Sequence, residues 1–423
     1  MRILDTAALD LSALIKPGQA IVCTQACGEP LTLMETLAAQ RHALTGCRVF
    51  VGASFAPTFQ PEHADALNFT SFGALGTNRR LAKAGVLGII PCHVACIAPY
   101  IAQGTLPCDV LFIQLAAADK NGRYSLGATA DYGRTAARHA KLVIAEINDQ
   151  APITCGGEYL EPAEIDFAIH TSRPLPQVPP APVTKIDLAI AGHAAAYIRD
   201  GTILQMGIGA TPDAILGQLS SHRNLGIHSG MISDAIMHLT QSGVVTNTTK
   251  PIDTGITITG ALIGTQALYD FAHQNPHIAL RASHYTHGEA TLACFENLVT
   301  INSAIEVDLT GQINAEQIGD EYLGAVGGQP DFVRAAHRSP KGHAIVALPA
   351  TAKSGAATRI VPRLTTGVTT PRTETDIIVT EHGAAELRGQ TLKERAKRMI
   401  NIAAPQFREQ LEREAHTLIM RGY

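Results

Sequence analysis

A glycine-rich turn after an apolar run is the strongest chemical signal in this sequence. The run Leu204–Met206 ends in a Gly-x-Gly turn, Gly207 to Gly209, and the following Thr211 and Pro212 predict a helix with Thr211 as its N-cap. Glycines let backbone N–H groups approach a ligand closely, and a helix N-terminus favours negative charge. The turn therefore suits a phosphate or a developing oxyanion. It is not a dinucleotide fingerprint, because Pro212 stands where that motif needs its third glycine.

A second junction between a strand and a helix follows at Leu225–Asp234. It carries His228 and Gly230 ahead of Ser233, which is a typical residue for the start of a helix. Open α/β sheets bind ligands beyond the C-terminal ends of their strands. We therefore expect this junction to lie near the same ligand as the Gly-x-Gly turn.

Cysteine and histidine do not form a metal-binding pattern in this sequence. The tightest cluster, Cys92-His93-Val94-Ala95-Cys96, has no second pair at the spacing of a zinc site. We interpret it as the packed end of a strand, because a free cysteine commonly behaves as a small buried hydrophobe. We expect reduced thiols and no metal.

The elements that hold these turns alternate between strands and helices. Strands are predicted over Ala20–Cys23, Arg48–Val51, Val86–Ile90, Asp109–Leu115, Leu142–Ile147, Thr202–Met206 and Leu225–His228, and helices over Leu31–Leu44, Arg134–Ala140 and Lys185–Arg199. This alternation predicts mostly parallel sheets. Five prolines between Arg173 and Pro182 predict an extended linker. We therefore predict an N-terminal lobe over 1–172, a Pro-rich linker over 173–183 and a C-terminal lobe over 184–423.

The length and charge of the chain favour some classes of protein and argue against others. A chain of 423 residues exceeds what one hydrophobic core usually supports, which favours two lobes. The formal net charge of -4 and a pI near 6.5 give no support to nucleic-acid binding. The sequence has neither an apolar run near the roughly 20 residues that span a bilayer nor an N-terminal signal-peptide pattern. We expect a cytoplasmic protein that does not bind membranes.

Short motifs in a fixed order identify the family that this chain resembles. They are Cys27–Pro30, Gly76–Arg79, Gly207–Pro212, Gly327–Gln329 with Asp331–Arg334, Ala347–Pro349 with Arg359–Pro362, Val379–Gly383, and Ala385–Gly389 through Glu394–Ala396. With these motifs, nearly the whole chain resembles the acetyl-CoA hydrolase/transferase family, in particular its 4-hydroxybutyrate and butyrate–acetate CoA-transferases. The resemblance implies two open α/β lobes of CoA-transferase type, each with a mostly parallel sheet flanked by helices. It also implies a homodimer or homotetramer.

The resemblance further implies a substrate and the residues that bind it. The substrate is an acyl-CoA, with a small carboxylate as partner for transfer, so coenzyme A is substrate or product and no resident cofactor is expected. The residues expected to hold CoA and the thioester oxygen are Gln205, Met206, Gly207, Ile208 and Gly209, and further CoA contacts are expected at Ile305, Gly328 and Lys353. Lys353 would supply a point charge for the phosphate-bearing end of CoA.

The sequence departs from the family pattern at the nucleophile. The family reads His-Thr-Glu-Met, or a close variant, where this chain has His228, Ser229, Gly230 and Met231, so the attacking glutamate falls at Gly230. In the family that carboxylate carries an acyl anhydride and then a glutamyl–CoA thioester, and glycine can carry neither.

Three functional readings follow from a glycine at this position. One is acyl-CoA hydrolysis or CoA transfer by another attacking group, with water activated by His228 or Glu29. A second is other chemistry on a bulkier acyl chain, such as C–C cleavage, hydration or decarboxylation, with Cys27 and Glu29 as leading residues. The third is a non-catalytic CoA-binding protein that has kept only the fold.

Overall fold

The computed structural model describes residues 1–420, and its larger main sheet has eight strands, all parallel. From edge to edge the strands are Arg2–Ile3, Phe167–Thr171, Leu142–Asn148, Val110–Ala116, Ala20–Cys23, Arg48–Val51, Asn68–Ser71 and Leu87–Ile89. Every residue of the inner strand Val110–Ala116 is buried. A buried run that is apolar except for Gln114 is typical of a parallel strand covered on both faces.

Helices cover this sheet and close its core. They are Leu31–Ala39, Asn78–Lys83, Val94–Ala102 and Gly133–His139, with Gln266–Ala272 and Ser283–Thr286 in the same unit. Leu33 and Met34 of the first helix join Ile21, Val49 and Phe112 in one buried apolar cluster. Burial of this apolar surface fixes the helix against the strands.

A second main sheet of six strands lies in the other half of the described chain. In spatial order its strands are Gly226–Ile227, Ile203–Met206, Leu298–Ser303, His343–Ala347, Ile377–Thr380 and Gly383–Glu386. The first five are parallel, and Gly383–Glu386 forms an antiparallel edge. The helices of this half are Lys185–Ala195, Ala210–Gly217, Asp234–Gln241, Glu289–Leu292, Gln329–Arg338, Leu392–Asn401 and Pro405–Met420. The predicted α/β fold with mostly parallel sheets is confirmed.

Short strands and 3-10 turns lie along the chain between these helices and strands. The short strands are Tyr124–Ser125, Tyr159–Leu160, Met231–Ile232, Thr257–Thr259, Ala261–Leu262, Ile278–Leu280, Glu306–Asp308, Ile313–Asn314, Gln317–Ile318, Glu321–Tyr322, Thr351–Ala352, Ala357–Thr358 and Ile360–Val361. The 3-10 turns are Thr6–Ala8, Leu11–Ala13, Arg41–Leu44, Pro61–Asp65, Pro162–Glu164 and Lys353–Gly355. Within residues 1–420, no helix is long and apolar enough to cross a membrane.

The described chain divides into two compact units whose boundaries differ from the predicted lobes. The first unit contains Met1–Pro179, Ile256–Gly288 and Glu321–Gly327, and the second contains Pro180–Gly255, Glu289–Asp320 and the chain from Gly328 onward. Two segments of the predicted C-terminal lobe, 184–423, therefore belong to the first unit: Ile256–Gly288 and Glu321–Gly327.

Hydrogen bonds to residues far away in sequence hold these two segments in the first unit. The Ala130 N–H donates to the Gly260 carbonyl and the Leu280 N–H donates to the Cys155 carbonyl, both at 2.8 Å. The Arg79 guanidinium donates to the Leu323 carbonyl at 3.0 Å. These partners lie far apart in sequence, so no local pattern signals them.

The Pro-rich segment 173–183 contains neither helix nor strand. Its first half is held against the first unit. Arg173 makes two charged hydrogen bonds to Glu35, at 2.8 and 2.9 Å, and the Val178 N–H donates to the Gly264 carbonyl at 2.9 Å. Only the first half of the segment is therefore bound to the first unit, and the second half connects it to the helix Lys185–Ala195.

Candidate functional site

The Gly-x-Gly turn begins at the C-terminal end of Ile203–Met206, an inner strand of the second sheet. The Gly207 N–H donates to the Ile301 carbonyl at 3.0 Å and so extends the pairing with the neighbouring strand. The Gly207 N–H, which the sequence analysis had predicted to face a ligand, is therefore already bonded within the sheet. The backbone donors of this turn therefore lie further on, at Gly209 and in the first turn of the helix, where N–H groups have no intrahelical partner.

Gly209, rather than the predicted Thr211, is the N-cap of the helix Ala210–Gly217. Its φ of 121° lies in a region that side chains disfavour, and a Cβ placed there would meet nothing within 4 Å. The glycine is thus required by backbone conformation and not by space. Thr211 lies inside the helix, where its hydroxyl donates to Asp187 Oδ1 at 2.6 Å.

Gln205 and Met206 are engaged below the turn. The side-chain amides of Gln205 and Asn302 are reciprocally paired, at 3.3 and 3.0 Å, and both residues are buried. The Ser229 hydroxyl accepts from the Met206 N–H at 3.3 Å and donates to the Met206 carbonyl at 3.2 Å. Sequence analysis missed Asn302, and only its apolar strand context pointed to burial.

The second junction brings His228, Ser229 and Gly230 next to this strand. The His228 N–H donates to the Leu204 carbonyl at 3.0 Å, and the fully buried His228 ring packs on Phe295 with centroids 4.9 Å apart. This environment suits a packed residue at a strand end better than a base that reaches a water. Gly230 is half-buried between the strands Gly226–Ile227 and Met231–Ile232.

Two side chains that sequence analysis missed hold the edge strand before this junction. The Ile227 N–H donates to Asn247 Oδ1 at 2.8 Å, and Lys250 Nζ donates to the Ile227 carbonyl at 3.0 Å. Burial lowers the pKa of Lys250 from 10.5 to about 8. The Lys250 stem passes so close to Gly226 that a Cβ there would lie 2.9 Å from Lys250 Cγ. No sequence signal marks Lys250 as buried.

Carboxylates lie beside the two helix starts. The Ser233 hydroxyl donates to Asp213 Oδ1 at 3.3 Å, which connects the helix after Gly209 with the helix Asp234–Gln241. Burial, and in smaller part the charge of Asp234, raises the pKa of Asp213 above its usual value, while the Ser233 bond lowers it. Asp213 and Asp234 each lie in the first turn of one of these helices.

The other predicted CoA contacts lie on loops of the second unit. Ile305 follows the strand Leu298–Ser303, and its N–H donates to the Asn314 carbonyl at 2.8 Å. Gly328 is the N-cap of Gln329–Arg338. Lys353 is exposed at a hairpin tip with a φ of 50°.

Cys27 and Glu29 lie in the first unit, in the turn after Ala20–Cys23. Glu29 is fully buried and accepts hydrogen bonds from Ser54 Oγ at 2.5 Å, the Phe55 N–H at 2.9 Å and the Ala56 N–H at 3.1 Å. Burial raises its pKa from 4.5 to about 7. Burial also raises the pKa of the Cys27 thiol to about 12, which disfavours a thiolate nucleophile.

Asp131 is another buried carboxylate of the first unit that the sequence did not mark. Gln25 Nε2 donates to Asp131 Oδ2 at 2.5 Å, and Gln25 Oε1 accepts from the Ala53 N–H at 2.9 Å. Burial raises the pKa of Asp131 to about 7. Like Glu29, it binds loops of this unit together.

The segment Cys92 to Cys96, for which no metal site was predicted, lies at the start of a helix. Cys92 is buried between the strand Leu87–Ile89 and the helix Val94–Ala102, of which His93 is the N-cap. Within residues 1–420 no group of three or more His, Cys, Asp and Glu residues is arranged to hold a metal ion.

Comparison with known proteins identifies the chain. The N-terminal domain model of the acetyl-CoA hydrolase/transferase family matches residues 6–179, and the C-terminal domain model matches residues 264–415. The 4-hydroxybutyrate coenzyme A transferase of Clostridium kluyveri is 38% identical over 398 residues, which cover 93% of each chain. The succinyl-CoA:cyclohexane-1-carboxylate CoA transferase of Geobacter metallireducens is 32% identical, over 97% of this chain and 94% of the relative.

Solved structures agree with these relatives. RipA from Yersinia pestis superposes with a TM-score of 0.92 at 30% identity, covering 99% of this chain and 97% of RipA. The 4-hydroxybutyrate CoA-transferase from Porphyromonas gingivalis gives a TM-score of 0.81 at 31% identity, with 100% and 98% coverage. The chain is therefore an enzyme of the acetyl-CoA hydrolase/transferase family.

Proposed function

We propose that this enzyme binds an acyl-CoA thioester at the Gly207–Gly209 turn and cleaves the acyl–sulfur bond with water as the attacking group. The observation that carries the proposal is a Gly-x-Gly turn at a helix start, near a position without a side chain. Gly209 starts a helix at the C-terminal end of an inner parallel strand, and Gly230 lies three residues beyond the end of the adjacent strand Gly226–Ile227. In this proposal the turn keeps the role of binding the thioester, and position 230 offers no side chain as a nucleophile.

The turn supplies donors for the charge that develops during the reaction. When a nucleophile adds to the thioester, its carbonyl oxygen becomes an oxyanion, which backbone N–H groups at Gly209 and Ala210 can stabilise without rearrangement. Coenzyme A is then a substrate group and not a resident cofactor. Gln205 to Gly209, Ile305 and Gly328 hold its body, and the exposed Lys353 meets its phosphate-bearing end.

Hydrolysis balances without a covalent enzyme intermediate. The water oxygen bonds to the acyl carbon, the carbon–sulfur bond breaks, and the leaving thiolate takes a proton, which yields a carboxylic acid and free CoA. Glu29 has a pKa of about 7, near that of an effective base, but both carboxyl oxygens already accept hydrogen bonds. We therefore favour backbone stabilisation of the oxyanion over side-chain activation of the water as the main contribution.

CoA transfer through another carboxylate is the second candidate function. It is favoured by the acidic residues Asp213 and Asp234, which flank Ser233 three residues beyond Gly230. In that case a carboxylate attacks the thioester, and an acyl anhydride and CoA thiolate form. The thiolate then attacks the enzyme carbonyl of the anhydride, which releases the original acyl group as a carboxylate and leaves an enzyme–CoA thioester for the acceptor acid. The names of the transferase relatives agree with this route.

A product assay in ¹⁸O-labelled water tests the proposal. The enzyme is incubated with a panel of acyl-CoA thioesters, with and without acetate, and the products are weighed by mass spectrometry. Hydrolysis predicts free CoA and an acid that contains one ¹⁸O atom. Acetyl-CoA formed from acetate indicates transfer, and an acyl group of altered mass indicates other chemistry on the chain. A rise in melting temperature with CoA but no product indicates binding alone.

Variants at Gly230 identify the attacking group. Gly230→Glu is expected to gain CoA transfer to acetate, whereas Gly230→Gln, which matches it in size, is expected to gain none. Hydroxylamine trapping followed by peptide mapping should modify no carboxylate in the wild type. A trapped Asp213 or Asp234 would replace the hydrolase proposal with the transferase route.

A further inference from the structure

A small hairpin beside the second sheet carries Lys353, and Arg359 lies at its base. Its strands, Thr351–Ala352 and Ala357–Thr358, are antiparallel, and the Arg359 N–H donates to the Ala350 carbonyl at 2.9 Å. The next strand, Ile360–Val361, pairs with Glu306–Asp308. The hairpin is therefore joined through its base to the segment that follows Ile305.

The Arg359 side chain connects these two segments a second time. Its Nε donates to the Thr351 carbonyl at 3.2 Å, and its Nη1 donates to the Ile305 carbonyl at 3.3 Å. A guanidinium presents donors in a rigid planar fork, so one side chain can fix the distance between two backbone carbonyls. Each carbonyl belongs to a loop in which the proposed function places a CoA contact.

The surroundings of Arg359 indicate a fixed side chain and not a solvated surface charge. The side chain is half-buried, and burial lowers its pKa below the usual value, opposed by the charges of Glu306 and Glu381. Glu381 also accepts the Ala350 N–H at 2.8 Å, on the other side of the hairpin base. Arg359 and Glu381 therefore hold the base of the hairpin together.

The hairpin tip needs such support because its backbone is strained. Lys353, Ser354 and Gly355 have φ values of 50°, 54° and 92°. Left-handed conformations are uncommon for residues other than glycine and persist only where the surrounding structure enforces them. Two such residues in succession set the direction in which Lys353 leaves the hairpin.

We propose that Arg359 is a positioning residue that sets the Lys353 tip and the Ile305 loop at the spacing required to bind CoA. This role rests on the proposed function, because Ile305 and Lys353 matter only if CoA binds there. Arg359 acts through backbone carbonyls and does not touch the reacting atoms. Its loss should weaken CoA binding and leave turnover at saturating substrate nearly unchanged.

The test is a double-mutant cycle read by calorimetry with CoA. Arg359→Lys keeps the charge but lacks the fork, and is expected to weaken the Kd for CoA about tenfold, which is about 1.4 kcal/mol. Lys353→Ala should weaken it by a similar factor. The double variant should bind about as weakly as either single variant, because both changes remove one arrangement. Arg398→Lys is the matched control, since Arg398 also donates to a backbone carbonyl, that of Glu386, at 2.8 Å.

A second measurement separates positioning from a fold defect. Backbone hydrogen exchange in Arg359→Lys should accelerate between Thr351 and Thr358 and remain at wild-type rates in the strand Ile203–Met206. With an acyl-CoA, KM should rise and kcat should stay within about twofold of wild type.

Each other outcome has a definite meaning. Wild-type affinity in Arg359→Lys, or fully additive losses in the double variant, overturns the positioning role while CoA binding stands. Exchange that accelerates throughout the second unit also overturns it, because Arg359 would then be a general stability residue. If the wild type binds neither CoA nor any acyl-CoA, the proposed function is wrong and this role is lost with it.

Discussion

Replacement of Glu29 by glutamine should remove one defined contribution to the pH dependence of folding stability. The Glu29 carboxyl is fully buried and is held by Ser54 Oγ and by the N–H groups of Phe55 and Ala56. Burial raises its pKa from 4.5 to about 7, and these hydrogen bonds oppose the rise only in part. The folded state therefore binds the Glu29 proton more tightly than the unfolded state does.

The size and sign of the effect follow from that pKa. A rise from 4.5 to about 7, at about 1.4 kcal/mol per unit, amounts to about 3 kcal/mol. Because the folded pKa is raised, this stabilisation is complete below pH 4.5 and is lost as the pH rises through 7. The free energy of unfolding of the wild type, relative to Glu29→Gln, should fall by about 3 kcal/mol across that interval.

Urea unfolding of both proteins at several pH values between about 5 and 8, followed by far-UV circular dichroism, measures this difference. Circular dichroism is the suitable probe because the chain has no Trp. Asp131, whose pKa is also raised to about 7, contributes to both proteins and cancels in the difference. Glu62→Gln, at an exposed site, is the control and should leave the pH profile unchanged. Parallel profiles for wild type and Glu29→Gln would refute the assignment of a buried, readily protonated carboxyl at position 29.

Further substitutions test the second unit. Gly209→Val should reduce turnover at least about a hundredfold with the fold retained, because φ at 121° disfavours a side chain and moves the donors; wild-type kinetics would remove the turn from the site. Lys250→Met tests the buried ammonium, whose pKa is lowered from 10.5 to about 8. The wild type should therefore gain stability relative to the variant, by up to about 3 kcal/mol, as the pH rises from 8 towards 10.5. A stability difference that does not change with pH in urea unfolding would contradict this. Gly226→Ala should destabilise by about 1–3 kcal/mol through overpacking against Lys250, an effect that Lys250→Ala should relieve if the clash is its cause.

Strand positions could be predicted from the sequence because buried parallel strands are apolar runs. Ala20–Cys23 and Arg48–Val51 were predicted with the observed bounds, since turn residues flank each run. The helix predicted to reach Leu44 stops at Ala39, where the Gln40 side chain binds the backbone of Leu9 and Leu11 instead. That competition depends on a segment thirty residues away, which no local window contains.

The loops of the candidate site could be predicted from the sequence. Which of their hydrogen-bonding groups already have partners in the protein could not. Glycine spacing located the turn at Gly209, because only glycine readily adopts its φ. The same spacing could not reveal that the Gly207 N–H is already bonded to Ile301. Nor could it reveal that Lys250, a residue type that is almost always solvated, lies buried against Ile227. The first contact arises from strand register, which is set by the whole sheet, and the second from a loop that packs on the edge strand.

The support around Gly230 bears on what the junction does. Ser229 binds both backbone groups of Met206, and Asn247 and Lys250 bind both backbone groups of Ile227. These side chains fix the backbone of the neighbouring strand and of the segment that leads into Gly230. A fixed backbone with oriented donors is what stabilisation of an oxyanion needs, because the donors then require no reorganisation as charge develops. Under the proposed function, a glycine at position 230 offers no side chain for a covalent route, whereas backbone donors at Gly209 and Ala210 can still stabilise an oxyanion, and this is why water is the attacking group that we favour.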